Sequence, residues 1–174
     1  LFVACCASGA AAAPREEKGI VMDTHEGYEL KGDLYIPDGK GPFPGIIYFH
    51  GGGFMAGGRD EGGDVSLVEY FVGRGYAVLS SDYRLLPQGG IFPNSTKDAN
   101  CALAWLKKNG AKYGVDATRI ATMGESAGAY LASMVAFAPG VDYFAPDCGS
   151  AKGLDMTVKA AVLFYGPYNF MSIK

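Results

Sequence analysis

The sequence predicts an α/β protein with a mostly parallel central sheet and helices on both faces. Three observations lead there. Short apolar, β-prone runs recur along the chain, helix-period segments separate them, and most of those runs do not alternate polar with apolar residues. A strand covered on both faces has no reason to alternate. The order strand, helix, strand, helix, strand, helix, strand is that of a parallel sheet joined by right-handed crossovers.

The opening differs. Residues 19–24 and 28–36 do alternate, and they read as an antiparallel hairpin turning at Glu26-Gly27. GPFPG then breaks the chain, and Ile46 to Phe49 is expected as the first buried strand. A glycine-rich loop occupies 51–63. Residues 64–74 are predicted helical, with Leu67, Val68, Phe71 and Val72 on one face and Gly73 and Gly75 as the stop. Tyr76 to Ser80 is the next strand. After a Pro- and Gly-rich loop at 87–93, residues 95–113 form the longest predicted helix, with Ala99, Ala102, Leu103 and Leu106 as its inner stripe. Arg119 to Met123 is a short strand. Ala127, Leu131, Met134, Val135 and Ala138 mark a further helix, and Val158 to Phe164 a last strand.

At 174 residues and 49% hydrophobic, residues 15–174 fit one domain with a sizeable core. A net charge of −3 gives no reason to expect nucleic acid or an anionic membrane as partner. No apolar run approaches the roughly 20 residues of a membrane span. Residues 1–14, LFVACCASGAAAAP, are small, apolar and uncharged. They read as the remnant of a signal peptide or as a disordered leader, and are excluded from the fold. A signal-peptide remnant implies a secreted or extracytoplasmic protein, with a cytoplasmic one as the alternative. Cys5 and Cys6 lie in the leader, Cys101 on a predicted helix and Cys148 in a loop. A Cys101–Cys148 pair and two free thiols both stay open. No Cys/His spacing suggests a metal site, and no metal or cofactor is expected.

Two motifs carry chemistry. Gly124-Glu125-Ser126-Ala127-Gly128 matches G-x-S-x-G and lies between a predicted strand and a predicted helix. A serine on so tight a turn projects its hydroxyl above the strand ends. A Cβ at either flanking position would strike the neighbouring strand or helix, so Gly124 and Gly128 are required. The helix N-terminus favours developing negative charge there. Ser126 is therefore the candidate nucleophile. His50-Gly51-Gly52-Gly53-Phe54 follows directly on the strand at 46–49. Stabilising an oxyanion requires backbone N–H donors that no side chain obstructs, and such a donor is worth on the order of 10²–10³ in rate. Gly52, Gly53 and Ala127 are the candidate donors. His50 reads as a buried hydrogen-bonding post that holds the loop. His25, in the hairpin, is expected to be exposed.

The chain resembles the α/β-hydrolase esterases and lipases, in particular the hormone-sensitive-lipase-like carboxylesterases and related acyl esterases. The shared segments are HGGGF (50–54), SDYRLLP (81–87), NCALAWLKKNGAKYGVDATRI (100–120), GESAG (124–128) and VKAAVLFYGPYNF (158–170). The resemblance implies a serine carboxylic-ester hydrolase acting on a small-molecule ester through an acyl-enzyme on Ser126, with no cofactor. It implies Gly52, Gly53 and Ala127 as the oxyanion hole, and Asp82, Tyr83 and Arg84 as a structural ion-pair and packing anchor. Glu125 takes no catalytic role. A non-catalytic ligand-binding homologue and a serine peptidase of the same fold are the alternatives, the latter disfavoured by Ala127.

One departure from the family is large. No His follows Ser126, and Asp142, Asp147 and Asp155 fall too early for the family's acid. The expectation is that the chain is the N-terminal two-thirds of a single α/β-hydrolase domain, with its C-terminal strands, acid and His missing and little turnover of its own. The oligomeric state is not legible.

Overall fold

The computed structural model describes residues 14–61 and 63–170, with the side chains of all of these except 63–65. Six strands form one sheet in the order β1-β2-β4-β3-β5-β6. The strands are β1 (Arg15–His25), β2 (Tyr28–Ile36), β3 (Phe43–Phe49), β4 (Ala77–Ser81), β5 (Val115–Glu125) and β6 (Ala160–Phe164). Three helices connect them: α1 (Gly63–Val72), α2 (Asn94–Asn109) and α3 (Ala127–Phe137).

The hairpin turns at Glu26 and Gly27, both with positive φ, and β2 pairs antiparallel with β1 and with β4. From β4 onward the sheet is parallel. Crossover handedness then fixes the layers. The step from β3 to β4 runs one way across the sheet, and the steps from β4 to β5 and β5 to β6 run the other. Right-handed crossovers therefore put α1 on one face and α2 with α3 on the opposite face. The two cores agree. Val68 and Val72 of α1 pack with Ile46, Tyr48 and Val78. Leu103 and Leu106 of α2 and Leu131 of α3 pack with Ile47, Phe49 and Leu79. Successive residues of β3 thus feed alternate cores, as the two-residue period of a strand requires.

The expected elements are present with shifted ends. The helix expected over 95–113 stops at Asn109 and tightens into a 3₁₀ turn at Gly110–Tyr113, closed by Gly114 at φ 78°. The strand expected at 119–123 extends over Val115–Glu125, because Phe43 and Pro44 pair with Val115 and Asp116 before a register irregularity. His25 corrects an expectation. It is not exposed: its side chain is 10% accessible, with Asp23, Asp98 and Asp147 within 3.7 Å. The hairpin tip folds over the start of α2, which covers the ring. Residues 1–13 of the leader lie outside the described residues.

Cys101 on α2 and Cys148 are joined in a disulfide, with Cα atoms 5.9 Å apart. This bond ties the long 138–159 segment to the helix beneath it.

Candidate active site

β3 and β5 are neighbours, with Phe49 in register with Gly124. The chain segments that leave their carboxyl ends, His50 onward and Ser126 onward, therefore emerge side by side. Open α/β sheets place their sites at such a position, where successive crossovers leave in opposite directions.

Ser126 caps α3 at φ 51°, ψ −117°, a conformation that strains a residue with a Cβ. The turn is held from both sides. Ser126 N–H donates to Phe164 O of β6 at 2.9 Å, and Tyr130 N–H donates to Ser126 O at 3.2 Å. A Cβ on Gly124 would run into the backbone of Gly128 and Ala129. A Cβ on Gly128 would run into the carbonyls of Phe49 and His50. Each glycine is thus required by a different neighbour, one by the helix and one by the adjoining strand end. Glu125 Oε2 accepts from Tyr48 Oη at 3.3 Å.

The glycine loop lies against the elbow. A Cβ on Gly51 would stand 3.4 Å from Glu125 O and 3.5 Å from Ser126 Cβ. Gly52 has φ 115°, and a Cβ there would strike Ala56 O, the carbonyl at the end of a turn in which Gly52 O accepts from Met55 and Ala56 N–H. Gly53 has φ 62° and open space where its Cβ would be. Among the described residues, no chain acceptor takes the N–H groups of Gly52, Gly53 or Ala127. These are the three amides that the sequence reading singles out. Ala127 lies in the first turn of α3, where N–H groups have no partner within the helix.

His50 is buried at 1% exposure. Its ring stacks on Tyr83 with centroids 4.4 Å apart, and Nδ1 lies 2.6 Å from Gly51 O. Gly57 closes over the ring: a Cβ there would come 2.5 Å from Nδ1. Tyr83 Oη donates to His50 O at 3.0 Å. Neither His50 nor His25 is hydrogen-bonded to Ser126 among the described residues.

Two ion-pair anchors support the loops. Arg59, at the far end of the glycine loop, donates from Nε to Asp33 Oδ1 at 2.9 Å, from its backbone to Asp82 Oδ1 at 2.9 Å, and from a terminal nitrogen to Asp82 Oδ2. Burial alone would lower the Arg59 pKa, but hydrogen bonds and charge from Asp33 and Asp82 outweigh it and hold the group above its ordinary value. Arg84 donates to both oxygens of Asp98 and also bonds it through its backbone N–H. Hydrogen bonding to Asp98 raises the Arg84 pKa against burial. The segment Asp82-Tyr83-Arg84 thus fastens the glycine loop, the His50 ring and the start of α2 in turn. The sequence reading missed Arg59, whose partners lie 26 and 23 residues away. It also missed Tyr130, which the spacing from Ser126 could have shown, because residues four apart share a helix face. Tyr130 and Phe54 line an apolar cavity of about 320 Å³. Clefts of about 340 and 390 Å³ lie elsewhere, under the 138–156 loop and around Lys40 and Lys112.

The BD-FAE family model matches residues 32–174. The chain belongs to the BD-FAE family. The matched residues of this BD-FAE chain include both the glycine loop and the elbow, and its fold is that of the α/β-hydrolase esterases and lipases. It is 40% identical over 93 residues to esterase LipI of Mycobacterium tuberculosis (strain ATCC 25618 / H37Rv), covering 53% of this chain and 28% of LipI. It is 33% identical over 132 residues to the ethyl acetate hydrolase of Pseudomonas putida, covering 74% of this chain and 41% of that protein. Among solved structures, a thermophilic esterase of Thermogutta terrifontis, Est2 with butyrate bound, superposes with a TM-score of 0.74 at 26% identity. That match covers 90% of this chain and 54% of Est2. The BD-FAE chain therefore spans about half of this structural relative and less than half of these curated relatives.

Proposed function

We propose that this chain carries the nucleophile and the oxyanion-binding half of a serine carboxylic-ester hydrolase. The observation that carries the reading is a strained Ser126 packed beside a glycine loop in which, among the described residues, Gly52 and Gly53 N–H have no chain acceptor. Attack by Ser126 Oγ on an ester carbonyl would form a tetrahedral intermediate. Its negative oxygen would be held by Gly52, Gly53 and Ala127 N–H, with the α3 dipole adding to the field. Collapse would expel the alcohol and leave an acyl-serine, which water then hydrolyses. His50 serves here as a post that fixes the loop, since its ring is already held by Tyr83, Gly51 and Gly57. The reading assigns no base or acid within the 174 residues, and the reaction requires a base within reach of Ser126. Relatives named as esterases and an ethyl acetate hydrolase support esters of small to medium acyl groups as substrates. The Ala-rich leader and the Cys101–Cys148 bond together support an oxidising, extracytoplasmic location.

The test is turnover of p-nitrophenyl acetate by the complete gene product, beside its Ser126→Ala variant. Turnover that vanishes in the variant supports the reading, and undiminished turnover removes Ser126 from the mechanism. A second reading is a ligand-binding module without catalysis. It predicts ester binding without turnover in the complete gene product.

A further inference from the structure

His25 and its surroundings take no part in the ester chemistry. Asp23 and His25 stand two apart on β1, so their side chains leave the same face of the strand. Both meet α2 at Cys101: one ligand atom from each of Asp23, His25 and Cys101 lies within 4.8 Å of the other two. Asp23 Oδ2 is 3.3 Å from His25 Nε2. Ligand atoms about 2.0–2.2 Å from a tetrahedral metal ion stand about 3.3–3.6 Å apart, so this edge already has the right length.

The imidazole is nine-tenths buried, and Nε2 is sealed from solvent with no hydrogen-bond partner among the described residues. A buried nitrogen left in that state costs free energy, which a bound metal ion would recover. The other nitrogen, Nδ1, faces Asp147 Oδ1 at 3.6 Å. A carboxylate on that side favours the proton on Nδ1 and leaves the Nε2 lone pair for a cation, the usual arrangement of a metal-binding histidine. The surrounding charge also favours a cation. Asp98 is matched by Arg84 and Asp147 faces Lys97, whereas Asp23 has no Lys or Arg partner among the described residues.

Cys101 Sγ is bonded to Cys148 and in that state offers no thiolate. We propose that Asp23, His25 and Cys101 form a Zn²⁺ site that exists only when this disulfide is reduced. Reduction by a dithiol breaks the S–S bond: the reductant gives up two electrons, and Cys101 and Cys148 each take up one electron and one proton. Zn²⁺ then displaces the Cys101 thiol proton to solvent. One nitrogen, one oxygen and one sulfur suit Zn²⁺, a borderline-soft ion, and water completes the tetrahedron. Asp23, with its side chain 28% exposed, gives the ion its way in. The two states fasten α2 differently: the disulfide ties it to the 138–159 segment, and the metal ties it to the hairpin tip. They exclude each other because both use the same sulfur. Spacing along the chain conceals the site, since its third ligand comes from a different element.

The experiment titrates the complete gene product with Co²⁺, a stand-in for Zn²⁺ whose absorption reports a bound thiolate. Cys148→Ser leaves Cys101 a thiol without any reductant, and wild type reduced with a phosphine is the second form. The double variant Cys101→Ser, Cys148→Ser is the blank, because it keeps Cys5 and Cys6. The expected result is one equivalent of Co²⁺ above the blank, with thiolate absorption, in both reduced forms, and none above the blank in the oxidised wild type. Zn²⁺ should displace it. His25→Ala and Asp23→Asn, each added to Cys148→Ser, should weaken binding at least tenfold. Asp23 is partly exposed, so Asp23→Asn keeps the fold even where His25→Ala does not. Thermal melts give an independent readout: Zn²⁺ should raise the Tm of Cys148→Ser and leave that of its Asp23→Asn derivative unchanged. Binding no better than the blank, binding that Asp23→Asn leaves unchanged, or equal binding by the oxidised wild type overturns the proposal.

Discussion

A Cβ placed on Gly51 would stand 3.5 Å from the Cβ of Ser126, so an alanine at 51 would pack at van der Waals distance against the elbow. Gly51→Ala has no positive φ to violate and only ordinary contacts to make. It should leave stability within about 0.5 kcal/mol, the usual range for a substitution that breaks no structural feature. Crowding of Ser126 should still lower ester turnover. Gly52→Ala drives a methyl into Ala56 O at φ 115°, and should lower both. Urea melts beside p-nitrophenyl butyrate kinetics separate the two cases. Equal stability loss in both variants would contradict the geometry.

Gly128→Ala concerns fold more than chemistry. The added methyl would enter the space of the Phe49 and His50 carbonyls, which are backbone and cannot rotate away. A loss of roughly 1–3 kcal/mol or more is expected from such overpacking. A denaturation midpoint equal to the wild type would show that α3 stands off from β3 more than described.

Arg84→Ala takes the bidentate guanidinium away from Asp98, a side chain with 0% exposure that then keeps the position-84 backbone N–H and His25 Nε2 at 3.7 Å. An uncompensated buried charge costs about 3–5 kcal/mol. Chemical denaturation at neutral pH measures it. The loss should exceed that of Arg119→Ala, whose guanidinium is half exposed.

The Cys101–Cys148 bond closes a sequence separation of 47 residues. Constraint of the unfolded chain by a loop of that size stabilises by about 2–4 kcal/mol. Reduction with a dithiol, or Cys148→Ser, should lower the unfolding free energy by that amount. A free-thiol titration of the untreated protein that finds both side chains reactive would contradict the pairing.

The local parts of this fold were legible because their causes are local. The glycines at 124 and 128 announced a turn in which no Cβ fits, and the stripe Ala99, Ala102, Leu103, Leu106 announced the buried face of α2, where all four are fully buried. What the sequence concealed is non-local. Nothing near Arg59 points to Asp33, and the pairing of β2 with β4 skips an element. His25 looked exposed because hairpin tips usually are, yet this one folds onto α2 among three carboxylates. The extra length of β5 arises from pairing with Phe43 and Pro44, a proline-bearing segment that local propensity assigns to a break.

The central claim concerns the hydroxyl of residue 126, and covalent trapping tests it most directly. The complete gene product is incubated with a fluorophosphonate, digested and mapped by mass spectrometry. The account predicts one phosphonyl adduct, on the peptide containing Ser126, and none in Ser126→Ala. An adduct on another residue, or equal labelling of the variant, would contradict it.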